Sequence, residues 1–146
     1  DRTWSGRERR LGYLDGLNAA GLSEDPDLIV DADFYREETA TAAMESLLSL
    51  GDPPTAVFAC SDVLAATAIL YCTDRGYRVP DDIAVVGMDG LPLAHTTRPE
   101  LTTIRKDYEL LGVRCVEALV ERIGSDEPID RREITLPCEH IFRRSL

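Results

Sequence analysis

Between residues 7 and 20 the apolar positions Tyr13, Leu14, Leu17 and Ala20 recur at intervals of three and four, the spacing of one helical face. Gly21 then supplies a left-handed stop, so the pattern predicts a first helix. After Pro26 the run Leu28-Ile29-Val30 is continuously apolar and predicts a short buried strand. A second helix is expected over residues 37–50, with Ala40, Ala43, Met44, Leu47 and Leu48 on its stripe and Gly51 closing it. Pro53-Pro54 interrupts the chain before residues 55–60, an apolar run with β-branched and aromatic members that predicts a central strand. Ser61 is placed to cap a third helix, with Asp62 at the positive end of its dipole and Leu64, Ala65, Ala68, Ile69 and Cys72 as its stripe up to Gly76. Residues 79–82 carry turn chemistry, and residues 83–87 predict a third strand. Helix and strand signals alternating over such short connections are those of an α/β fold, a doubly wound parallel sheet with helices on both faces.

Beyond Asp89 the rhythm changes. Residues 90–98 are turn-rich, residues 101–104 are extended, and Tyr108, Leu111, Cys115, Ala118, Leu119 and Ile123 mark one long amphipathic helix. Ile134-Thr135-Leu136 and His140-Ile141-Phe142 read as strands parted by Pro137. The 146 residues suit a single core.

Charge narrows the function. Sixteen basic residues stand against 27 acidic ones, a net charge of −11, and such a surface repels a phosphate backbone. DNA binding therefore needs a segment other than these residues. The apolar runs fall far short of the roughly 20 residues of a membrane span, so no membrane partner is expected, and the first residues do not resemble a signal peptide. Cys60, Cys72, Cys115 and Cys138 lie on apolar patterns without a C-x-x-C spacing, as free core thiols in a reducing compartment do. Cys138 and His140 lack a second close ligand pair, so no metal is expected. Nucleotide-binding glycine motifs are absent and no cofactor is expected. Neither His95 nor His140 belongs to a nucleophile motif, and Ser61 lacks the G-x-S-x-G elbow, so the chain does not read as an enzyme.

In open parallel sheets ligands bind beyond the carboxyl ends of the strands. That rule selects Asp33 and Phe34 after the first strand, Ser61 and Asp62 after the second, and Asp89 after the third. A carboxylate accepts hydrogen bonds from a polyol or heterocycle while a ring covers its apolar face. Asp89, closing an otherwise apolar strand, is the most suggestive of these, although an acid before Gly90 also suits a plain turn.

Five blocks and the chain's end then carry a resemblance that spans nearly the whole sequence. They are residues 9–13 (RRLGY), 33–34 (DF), 54–62 (PTAVFACSD), 75–89 (RGYRVPDDIAVVGMD) and 98–104 (RPELTTI), followed by Arg143-Arg144-Ser145. In this order they resemble the C-terminal half of a lactose/galactose-repressor (LacI/GalR) family transcription regulator. The resemblance implies a periplasmic-binding-protein-like effector domain of two subdomains with the ligand held between them. On that analogy residues 1–105 form the C-terminal subdomain, and residues 106–146 are the crossover helix and strands that complete the N-terminal one. It further implies a cytoplasmic, allosteric, homodimeric repressor that meets its DNA operator through an N-terminal segment absent from these residues. Carried over position by position, Arg9 donates to the effector, Phe34 stacks on it, Asp89 accepts from it, Ser61 adds a polar contact, and Thr3 and Ser5 border the cleft. The expected effector is a sugar or a nucleobase-like molecule. Met88, Gly90 and Ser61 depart from the residues commonest in the family, and the effector's identity stays open. A sugar-binding protein of a transporter is the alternative on the same fold.

Overall fold

The helices start where a side chain can accept from their first free amides. A computed structural model describes residues 3–33, 36–125 and 130–146. Thr3 Oγ1 accepts from the Gly6 amide at 3.1 Å and opens α1, Trp4–Ala19. Ser61 Oγ accepts from the Leu64 amide at 3.3 Å and opens α3, Asp62–Asp74, and the Asp107 carboxylate accepts from the Leu110 amide at 2.8 Å to open α4, Tyr108–Ile123. Helix α2, Glu37–Leu48, has no side-chain cap; Glu37 and Glu38 complement its dipole instead. Helix α3 closes through Gly76, whose φ of +83° lets the Tyr77 amide return to the Cys72 carbonyl.

Four strands form one sheet in the order β1 (Ala56–Phe58), β2 (Ala84–Asp89), β3 (Thr102–Lys106), β4 (Cys138–Ile141). The first three are parallel, with Val57 beside Val85 and Asp89 beside Arg105, while β4 runs antiparallel to β3. The expected parallel sheet is thus present, with an antiparallel edge added. Alternate residues of β2, Val85, Gly87 and Asp89, are buried. The core joins Ala40, Met44 and Leu47 of α2 and Leu64, Ala65, Ala68, Ile69 and Cys72 of α3 to Ile83, Val85, Ala94 and Leu101.

Near the start of β2 and β3 the ladder is completed by the far end of the chain. The Val85 amide donates to the Ser145 carbonyl at 2.7 Å, Ser145 Oγ donates to the Val85 carbonyl at 2.6 Å, and the Thr102 amide donates to Ser145 Oγ at 2.8 Å. Ser145 is fully buried and works as a one-residue splint between two strands.

Two expected strands do not form. Pro26–Leu28 is a 3-10 turn, and residues 29–33 run on outside the sheet, although Leu28, Val30 and Ala32 still pack against the core. A strand needs a hydrogen-bonding neighbour, and among the described residues β1 pairs only with β2. Residues 134–136 are likewise without a strand, and β4 begins at Cys138. The thiols divide: Cys72 is buried and Cys60 half-buried, but Cys115 and Cys138 are exposed, contrary to their expected core positions. On α4 no residue is fully buried, and Leu111, Val116, Leu119, Val120 and Ile123 are all exposed. The apolar stripe expected there is real and lacks a covering layer.

Candidate functional site

Strand β2 ends in a turn that ordinary backbone avoids. Asp89 has φ +118° and Gly90 φ +74°. A non-glycine residue held at positive φ stores about 1–3 kcal/mol and persists only where its surroundings fix it. Glycine is required at the next position, because a Cβ on Gly90 would lie 2.8 Å from the Arg105 Cα.

Buried Asp62 fixes this turn from behind. Its Oδ2 accepts from the Leu91 amide at 2.6 Å and its Oδ1 from the Thr103 hydroxyl at 2.5 Å, while Thr103 Oγ1 accepts from the Gly90 amide at 3.3 Å. Room for that carboxylate comes from Gly87, where a Cβ would sit 2.5 Å from Asp62 Oδ1. Burial raises the Asp62 pKa above its ordinary value, and the bonds from Thr103 and Leu91 offset part of the rise.

The turn aims the Asp89 carboxylate at two cations. Lys106 Nζ lies 2.7 Å from Asp89 Oδ1 and an Arg9 guanidinium nitrogen 3.5 Å from the same oxygen. The side chains of Asp89 and Arg9 are only 7% and 11% exposed, so water screens their attraction weakly. The Cys60 thiol stands near enough to feel both: burial pushes its pKa up, Arg9 pulls it down and Asp89 adds to the rise. It is therefore a neutral group at neutral pH.

The residues selected from sequence are distributed unevenly. Arg9 and Asp89 meet. Ser61 is fully buried and its hydroxyl accepts the capping bond from Leu64. Thr3 caps α1 and borders the same cavity as Arg9, whereas Ser5 is exposed on α1 and does not line that cavity. Phe34 lies outside the described residues. The sequence pattern singles out neither Lys106 nor Thr103. Both belong to β3, and only the pairing of Asp89 with Arg105 brings that strand's end to the site.

A cavity of about 700 Å³ opens beside the site. Thr3, Arg9 and Cys60 border it, but most of its wall is apolar, from Leu28, Val30, Met44, Leu47, Val57 and Leu64. Ala56, Val57 and Phe58 of the edge strand β1 also line it, and Arg9, Asp31 and Asp33 are among its polar residues. Among the described residues no group of three His, Cys, Asp or Glu is arranged to hold a metal ion. No described helix is long and apolar enough to cross a membrane.

The model of the periplasmic binding protein-like domain matches residues 1–146. The HTH-type transcriptional repressor PurR of Pasteurella multocida is 35% identical over 140 residues, 96% of this chain and 41% of that protein. The transcriptional regulator CelR, solved in complex with cellobiose, is 34% identical with a TM-score of 0.84, covering 96% of this chain and 42% of its own. A LacI-type transcription regulator from Bifidobacterium animalis subsp. lactis is 28% identical with a TM-score of 0.87, covering 97% of this chain and 50% of its own. The chain thus spans about two fifths of the length of the repressor it matches.

Proposed function

The chain belongs to the periplasmic binding protein-like family, with transcriptional repressors among its relatives, and on that premise we propose that it is the effector-sensing half-domain of a LacI-type repressor. The observation that carries this reading is the meeting of Arg9 with Asp89 at the carboxyl end of a parallel strand, where this architecture binds ligands. A guanidinium offers several fixed donors, and a carboxylate accepts from hydroxyl or ring N–H groups. Together they suit a small polar molecule, a sugar or a nucleobase-like compound. CelR, whose structure contains cellobiose, lends the sugar class support. Thr3 borders the same cleft and Phe34 covers the ligand's apolar face, whereas Ser61, buried as the cap of α3, serves by shaping the strand end beneath it. Repressor relatives favour this role over transport.

Residues 1–105 are the C-terminal subdomain in this reading, and residues 106–146 cross to the N-terminal one. The uncovered face of α4 supports that division, since an amphipathic helix of this kind needs a packing partner. Closing the cleft on an effector then sets the spacing of two DNA-binding heads in a cytoplasmic homodimer. Moving the population from 1:99 to 99:1 requires about 5.5 kcal/mol of preference for one closure, within reach of several hydrogen bonds and a stacked ring.

The test is calorimetry of the full-length regulator against sugars, nucleosides and purines. Arg9→Ala and Asp89→Ala are each expected to weaken the identified effector at least tenfold, about 1.4 kcal/mol. Unchanged affinity in both variants sinks the site.

A further inference from the structure

Resting on that reading of the site, we propose that Asp62 and Thr103 are positioning residues for the effector, holding the turn that presents the Asp89 carboxylate beside Arg9 without touching the ligand themselves. Both are buried, at 0% and 1% exposure. The turn needs such support, because Asp89 stands at φ +118° and Gly90 at φ +74°. An aspartate does not keep a positive φ unless its surroundings impose it.

The support is a short relay of hydrogen bonds. The Gly90 amide donates to Thr103 Oγ1 at 3.3 Å, the Thr103 hydroxyl donates to Asp62 Oδ1, and the Leu91 amide donates to Asp62 Oδ2 at 2.6 Å. One residue supplies both the donor and the acceptor in the middle, and donation to a carboxylate polarises the Thr103 hydroxyl into a better acceptor for Gly90. The relay stands on rigid ground. Asp62 is the first residue of α3, whose Leu64, Ala65 and Ala68 are packed in the core, and Thr103 lies within β3.

A role confined to the dipole of α3 would let Asp62 face water, as Glu37 and Glu38 do at the start of α2. Instead the sheet opens for it at Gly87, where a Cβ would sit 2.5 Å from Asp62 Oδ1. Burying a carboxylate is costly, and an apolar side chain fills a core site at lower cost. What the carboxylate adds is the fixed position of the two amides that follow Asp89. With the turn set during folding, no ordering of Asp89 is left to oppose effector binding. Without the relay, Asp89 relaxes towards ordinary backbone and its carboxylate leaves Arg9.

The experiment is calorimetry of the full-length regulator with glucose, cellobiose, adenine and adenosine as probes, at a temperature where circular dichroism shows every variant folded. Thr103→Val keeps the branched shape and removes the hydroxyl; it is expected to weaken the bound probe at least tenfold, about 1.4 kcal/mol. Thr103→Ser keeps the hydroxyl and should stay within threefold of the wild type. Asp62→Asn reverses the bond to Thr103 and serves as the second variant should Thr103→Val not fold, with an expected loss of at least threefold. In an Asp89→Ala background, either change should alter affinity less than twofold, since the relay acts only through that carboxylate. Wild-type affinity in a protein that merely melts earlier, a loss that Thr103→Ser shares in full, or an equal loss with and without the Asp89 carboxylate each overturns the proposal and leaves the site standing. Failure of the site itself looks different: Arg9→Ala and Asp89→Ala would bind as the wild type does, or the wild type would bind none of the four probes, and the relay's role would fall with it.

Discussion

Asp62 and Asp82 show how similar side chains acquire opposite roles from their surroundings. Asp82 accepts from the Arg78 amide at 2.7 Å and from its guanidinium, which lowers its pKa to about 2. A lowered folded value means that the pair stabilises the fold above 3.8 and loses that contribution as pH falls towards 2. Asp62 is raised by burial, so the folded chain holds its proton more tightly than the unfolded chain does. Its contribution is fully present below 3.8 and declines as pH rises through the raised value. In denaturant titrations across pH, the cost of Asp62→Asn is expected to be greatest in acid and to shrink towards neutrality. That of Asp82→Asn should behave the opposite way, and two parallel pH profiles would refute this assignment.

Among the elements, those decided by local chemistry were the most legible. Ser61 begins α3 as its sequence position predicts, and residues 83–87 fall in or beside β2. Leu28-Ile29-Val30 carried as clear an apolar signal, yet strand formation depends on a neighbour that no local pattern encodes. For the same reason Arg9 and Asp89 were legible as candidates, while Lys106 required knowledge of how β2 and β3 align. The left-handed turn at Asp89 left a trace only in Gly90. Ser145 gave least warning of all, because its bonds to Val85 and Thr102 span 60 and 43 residues. Removing that hydroxyl in Ser145→Ala strands two buried backbone groups. The expected loss is about 1–3 kcal/mol, read from the urea midpoint. A loss below a few tenths would mean that the strand starts are held by something else.

At the scale of the molecule, the uncovered face of α4 separates this polypeptide from the longer regulator in which it is proposed to act. Leu119 is 56% exposed here. Leu119→Glu is therefore expected to be harmless, or to improve recovery, in the 146-residue chain. In the full-length regulator, where that face is proposed to be covered, it should cost at least about 2 kcal/mol. Equal effects in the two proteins would remove the argument for a covering layer. The unpaired side of β1 has a consequence of another kind. Among the described residues no second strand lies beside it, and such an edge is a template for an extended peptide. Molecules of the 146-residue chain brought together at high concentration meet with complementary sticky rims. Edge-to-edge association of such molecules is the hazard to guard against when it is handled alone.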